Sequence, residues 1–191
     1  ARCQASPLEI EVFGHGALCM CYSGQCTLSA VLGGRSGNRG LCAQPCRLAY
    51  RWPGDRQTSH PLSLKDLSLA GHLGQLEEMG VACLKIEGRM KRPEYVAVVT
   101  AIYAAALREH REPTREEMAQ LEAAFSRQGF TQGYFLDRKG PAMFGTRPEG
   151  TRDPADLFAQ AKQFYTRGEH RPVPVTLSAR GQLGEPVTLT A

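Results

Sequence analysis

Residues 8–13, LEIEVF, alternate apolar and polar positions with period two, which predicts a β-strand. Leu8, Ile10 and Val12 share one face; Glu9, Glu11 and Phe13 share the other. Two acids on that second face imply that it looks into a polar space. Gly14-His15-Gly16 predicts an abrupt end to the strand. Residues 81–86 give a second strand, with Cys83, Lys85 and Glu87 pointing one way and Leu84 and Ile86 the other. Between them, residues 26–32 predict a short helix stopped by Gly33-Gly34, and residues 33–46, with four glycines and Pro45, a loop. Residues 47–52 suggest a short strand, and residues 65–79 an amphipathic helix through Leu67, Leu69, Leu73 and Leu76. Pro93 suits the first turn of a long apolar helix reaching residue 108, and Thr114 with Glu117 forms a capping box for a helix to residue 127. Residues 129–137 form a loop or strand carrying Phe130, Tyr134 and Phe135; residues 156–165 form a short helix, and the tail from residue 173 a hairpin. Two strands joined by a helix-bearing crossover, with a helix after the second, predict β-α units of a parallel sheet. Two such strands cannot enclose a core, so the chain reads as a fragment.

Composition narrows the class. Of 191 residues, 42% are hydrophobic and 22% charged, which excludes disordered and fibrous classes. The longest apolar run, residues 95–107, is too short to span a bilayer, so no membrane partner is expected. No charged-then-apolar segment opens the chain, and a reducing, cytoplasmic compartment is expected. The net charge of +4 arises wholly from residues 1–92, where Lys and Arg number 11 against 7 acids. Arg35, Arg39, Arg47, Arg51 and Arg56 face only Asp55 there. Such a stretch suits phosphate or carboxylate partners, although a solubilising loop has the same composition.

The cysteines change the picture most. Cys3, Cys19, Cys21, Cys26, Cys42, Cys46 and Cys83 make an odd number, with six in the first quarter of the chain. An even count spread along a short chain would mark a disulfide scaffold; this pattern points to metal binding or redox chemistry. Spacing does not choose between zinc and iron–sulfur, and free cysteines also serve as small buried apolar residues.

Four strings carry a family resemblance: EVFGHGALCMCYSGQCTLS (11–29), GNRGLCAQPCR (37–47), LSLKDL (62–67) and LKIEGRMKRPEYVA (84–97), with FTQGY (130–134) after them. Together they resemble the collagenase-like peptidases, peptidase family U32, over residues 8–145. The resemblance implies an α/β fold: the C-terminal part of a (β/α) TIM-like barrel, its last two strands being residues 8–13 and 82–87. It assigns residues 1–145 to the barrel, 146–171 to a linker with a short helix and 172–191 to the start of a truncated β domain. Function in such barrels sits at the C-terminal strand ends. That puts His15, Glu87 and Arg89 at the rim and Glu11 and Lys85 just inside as candidate catalytic residues.

The family holds proteases and also iron–sulfur proteins that hydroxylate tRNA or rRNA bases, the latter linked to prephenate as a co-substrate. The resemblance maps the ligands of an iron–sulfur cluster, a 4Fe-4S type being expected and zinc the alternative, onto Cys19, Cys26 and one or both of Cys42 and Cys46. Where many members have a further cysteine after the KDL string, this chain has Ser68, so Cys46 or Cys83 would complete the set. RNA would then be held by Arg35, Arg39, Lys91 and Arg92, with Phe130 and Tyr134 available to stack on a base. A protein partner or a second copy of the chain is also expected. Cys19 or Cys21 with His15 could form a nucleophilic pair for a protease, but no recognised nucleophile elbow or HExxH string is present. Metal ligation accounts for more of the thiols, which favours base hydroxylation over peptide hydrolysis and over a non-catalytic metal-binding scaffold.

Overall fold

The computed structural model describes residues 8–166, 178–181 and 188–190; residues 1–7 with Cys3, 167–177, 182–187 and 191 lie outside the described residues. Four strands form one mixed sheet: β1 (Glu11–Ala17), β2 (Asp66–Ser68), β3 (Cys83–Ile86) and β4 (Phe130–Thr131), in the order β3-β1-β2-β4. β1 and β3 are parallel, as the crossover pattern predicts. β2 runs antiparallel to β1 and parallel to β4, so the sheet is not the purely parallel one expected. Helices α1 (Leu28–Gly33), α2 (Leu73–Glu78), α3 (Pro93–Arg108), α4 (Arg115–Ala124) and α5 (Ala155–Thr166) complete the α/β fold. The last two short strands, β5 (Ser178–Arg180) and β6 (Thr188–Thr190), pair as an antiparallel hairpin. No helix among the described residues is long and apolar enough to cross a membrane.

The core lies between the sheet and α3. Tyr95, Val98, Val99, Ile102, Tyr103 and Ala106 of α3 pack with Leu121 and Ala124 of α4 and Phe158 and Ala161 of α5. Leu84 and Ile86 of β3 close this core from the sheet side. That leaves Cys83 and Lys85 on the opposite, exposed face, in agreement with the alternation. On β1 the same face carries Glu11 and Phe13.

Three expectations fail. Residues 65–79 do not form one helix. Asp66–Ser68 is a strand buried on both faces, a one-turn 3₁₀ segment follows at Ala70–His72, and only Leu73–Glu78 is α-helical. Leu67 and Leu69 obey period two as well as the helical spacing, and Asp66 and Ser68 look like a solvent-facing stripe only until Arg127 and Tyr103 cover them. β1, in turn, does not stop at the glycines. It continues through Gly14, His15 and Gly16 with a bulge between Phe13 and His15. Gly16 has φ +122°, and a Cβ there would lie 2.6 Å from the Glu87 carbonyl oxygen, so glycine is needed for β1 to pass the end of β3. Residues 47–52 form no strand either; one isolated antiparallel bridge joins Tyr50 to Ser59.

Candidate functional site

Five thiols converge. Cys19 and Cys21 follow the end of β1, Cys26 precedes α1, and Cys42 and Cys46 flank the turn after α1. All five line one cavity of about 680 Å³ with Ser29 and Asn38. Local chemistry explains the convergence. Asn38 donates to the Gly24 carbonyl at 2.9 Å and ties the glycine-rich loop to the Cys21–Cys26 turn. Gln44 adopts a left-handed conformation, φ 54°, which reverses the chain between Cys42 and Cys46. The Ser29 hydroxyl and the Gln44 N–H both point at Cys42 Sγ, at 3.7 and 3.3 Å. Burial pushes the Cys46 thiol up, as do neighbouring Cys19, Cys42 and Cys26, while the Arg47 charge pulls it down. Sulfurs that feel one another and accept N–H and O–H bonds are chemically suited to ligation, since hydrogen bonds to a ligating sulfur tune the group it holds. Among the described residues no three Cys, His, Asp or Glu side chains already form a closed group for a single metal ion.

Arg47, one of several loop charges and the last residue of the GNRGLCAQPCR string, fixes this loop. Its guanidinium donates to the main-chain carbonyls of Leu18 and Leu64, both at 2.5 Å, and so holds Cys46 beside the residue preceding Cys19. Its charge alone does not distinguish it from Arg51 or Arg56, because its partners are backbone atoms brought near by the fold.

A second cavity of about 420 Å³ shares Cys19, Cys42 and Cys46 with the first. Its other wall holds Arg47, Arg89, Lys91 and Arg127, with Glu87 as the one acid in the lining. Lys91 lies over the Phe125 ring, 2.7 Å from its centre. Burial pushes its ammonium down to about 7; nearby Asp66 opposes this, and the charges of Arg127, Arg147 and Arg47 add to it. Arg89 is seated against Gly40, where any Cβ would meet its guanidinium. Among the described residues neither the Arg89 nor the Lys91 side chain has an ion-pair partner. The excess of cations gives this wall the charge that an anion of two or more oxygens would need.

The other candidates are placed differently from expectation. His15 is not at a rim but 1% exposed inside the core, against Tyr95, Tyr103 and Phe130. Its Nδ1 lies 3.2 Å from the Tyr103 hydroxyl, and its Nε2 has no partner. Burial, and secondarily the Lys91 charge, push its pKa down to about 3. Cys83 does not reach the sulfur cavity: it lies on the exposed face of β3, 3.6 Å from a Glu11 oxygen. Lys85 pairs with Glu11 at 2.9 Å on the same face, both about half exposed. Ser68 is fully buried against the Tyr103 hydroxyl at 3.3 Å, outside both cavities. Lys91 faces inward over the Phe125 ring, whereas Arg92 is exposed and paired with Glu94 and Asp153 at 3.3 and 3.1 Å. Arg35 and Arg39 are exposed, on the loop whose Gly37 and Asn38 line the sulfur cavity.

The burial of His15 has a measurable consequence. The unfolded chain takes up a proton near the ordinary histidine value, whereas the folded chain resists until about pH 3. Stability from this residue is therefore complete above about 6.5 and is lost as pH falls toward 3. Between pH 7 and 5 the loss is about 2 kcal/mol. His15→Gln is expected to flatten that slope in urea titrations at the two pH values; an unchanged slope would contradict the buried neutral histidine.

The family model described as peptidase family U32 matches residues 2–144. The chain belongs to this family. Over 165 residues it is 43% identical to the 23S rRNA 5-hydroxycytidine C2501 synthase of Escherichia coli (strain K12), covering 84% of the chain and 23% of that protein. It is 38% identical over 146 residues to a collagenase of Porphyromonas gingivalis (strain ATCC BAA-308 / W83), covering 70% of the chain and 35% of the relative. A tRNA hydroxylation protein P of Helicobacter pylori (strain ATCC 700392 / 26695) is 35% identical over 149 residues, 69% of the chain and 35% of its own length. The U32 chain thus spans well under half of each of these relatives. No solved structure matches it.

Proposed function

We propose that this U32 chain serves the hydroxylation of a base in tRNA or rRNA, with a 4Fe-4S cluster held by Cys19, Cys26, Cys42 and Cys46. The observation that carries the reading is the sharing of one cavity by these thiols, directly beside a wall of four cations. The donor set fits an iron–sulfur group: four thiols, one sulfur already accepting two hydrogen bonds, and loops that end in polar turns. Zinc would use the same ligands. When bound, the cluster would supply the electron chemistry. The chain's own residues do the rest. Arg89 and Lys91, with Arg127 behind them, bind and orient an anionic co-substrate against the thiol side of the cavity, and a dicarboxylate such as prephenate has the matching charge. Arg35 and Arg39 hold RNA phosphates at the mouth. The exposed face bearing Glu11, Phe13, Cys83 and Lys85 is read as the interior wall of a TIM-like barrel, and RNA as the substrate implies the cytoplasm.

Relatives named as hydroxylation proteins at 43% and 35% identity support this reading. The protease reading shares a relative named collagenase. It would need a base other than His15, which is sealed in the core, and among the described residues no histidine lines either cavity.

Purified without oxygen, the protein is expected to be brown and to contain iron and acid-labile sulfide. It should bind single-stranded RNA with affinity that falls steeply with salt. Reversing neither fold nor colour, Arg35→Gln with Arg39→Gln should flatten the salt slope by about two charges. A colourless protein holding zinc, or one whose RNA affinity ignores salt, would overturn the assignment.

A further inference from the structure

The segment Cys19–Ser23 borders two cavities. One is the sulfur cavity; the other is an open cleft of about 710 Å³ completed by Tyr134 and Lys139. Tyr22 is 83% exposed and Tyr134 48% exposed. The two tyrosine rings line one cleft, and among the described residues no neighbouring ring covers either. Phe130, which the sequence offers as an equivalent, is instead consumed by the core, 5.1 Å from the His15 ring. The fold thus separates the two aromatics of the same string: one packs, one is presented.

We propose that Tyr22 and Tyr134 form a stacking platform for an unpaired nucleobase, with Lys139 at its edge for the attached phosphate. This rests on the RNA reading above and deepens it by naming where the base lies. The chemistry favours a base over other flat or extended ligands. The lining offers two π faces, small polar and sulfur-bearing side chains and one ammonium, and no carboxylate. Lys139 pairs with Asp137 at 2.9 Å, but both side chains are mostly exposed, and such a surface pair is readily exchanged for a phosphate. Cys19 and Cys21 line both cavities, so a base stacked here lies beside thiols of the sulfur cavity. The platform therefore sets which nucleotide is presented to the chemistry, while Arg35 and Arg39 act on the backbone without regard to sequence.

The test uses a single-stranded RNA oligonucleotide with 2-aminopurine at one position, whose fluorescence is quenched on stacking. The parent protein should bind it and quench. Tyr22→Leu and Tyr134→Leu should each weaken binding about ten-fold and relieve the quenching, while Tyr22→Phe and Tyr134→Phe retain both. Both tyrosines are exposed, and matching thermal melts of the leucine variants will show that the fold is kept. Leucine variants that bind and quench like the parent would overturn the platform and leave the RNA reading standing. A parent that binds no RNA would overturn both. Binding of a proline-rich peptide, lost in the leucine variants, would assign the cleft to a peptide and overturn the proposal in favour of the protease reading.

Discussion

Cys26→Ala is expected to strip the protein of iron and to lower base hydroxylation by more than about 100-fold, because a lost ligand must cost more than the loss of a residue that merely orients one. RNA affinity should stay close to that of the parent, since the phosphate contacts assigned to Arg35 and Arg39 lie on a different loop. Cys83→Ala supplies the contrast. Its sulfur is on the exposed face of β3 beside Glu11 and outside the thiol cavity, so iron content and hydroxylation should both persist. The measurements are iron and sulfide per chain and the mass of the modified nucleoside from cells lacking the native copy. Equal losses from Cys26→Ala and Cys83→Ala would mean that the ligands are not the four thiols that share the cavity. Hydroxylation that survives Cys26→Ala would remove the cluster from the reaction.

How far the sequence could be read follows from the range of each signal. Pro93 at the first turn of α3 and the Thr114–Glu117 box at the start of α4 are local, and both elements lie where these residues predict. The alternation in 81–86 correctly divides Cys83 and Lys85 from Leu84 and Ile86, since one face of β3 meets α3. Asp66 and Ser68 mislead because buried polar residues resemble exposed ones until their partners are known. His15 misleads in the same way: a histidine between glycines reads as a turn at a rim, and only the bulge in β1 and the rings of Tyr95, Tyr103 and Phe130 reveal it as core. For the site, motif spacing brings the cysteines into one list, but the exclusion of Cys83 and the anchoring by Arg47 depend on how separate loops fold together.

The ion pair beneath the basic wall is expected to be the most costly one to break. Arg127 donates to Asp66 at 2.6 Å, with side-chain exposures of 8% and 1%, and the second Asp66 oxygen has no partner. Removing the cation strands a carboxylate inside the protein, whose desolvation is then uncompensated. Arg127→Met should therefore destabilise the fold by about 3–5 kcal/mol in urea titrations. Adding Asp66→Leu should recover most of that loss, because two apolar side chains need no pairing in the same space. The double variant then separates stability from function. Arg127 also lines the basic cavity, and its charge helps hold the Lys91 ammonium down near 7. A restored fold should accordingly bind a dicarboxylate more weakly than the parent, with Lys91 titrating no higher than before, because the attraction lost with Asp66 outweighs the repulsion lost with Arg127. If Arg127→Met melts with the parent, the pair is not the buried contact described. If the double variant is as unstable as the single, the stranded charge is not the cause. Full stability together with undiminished dicarboxylate binding would instead take Arg127 out of the anion wall and leave Arg89 and Lys91 to form it.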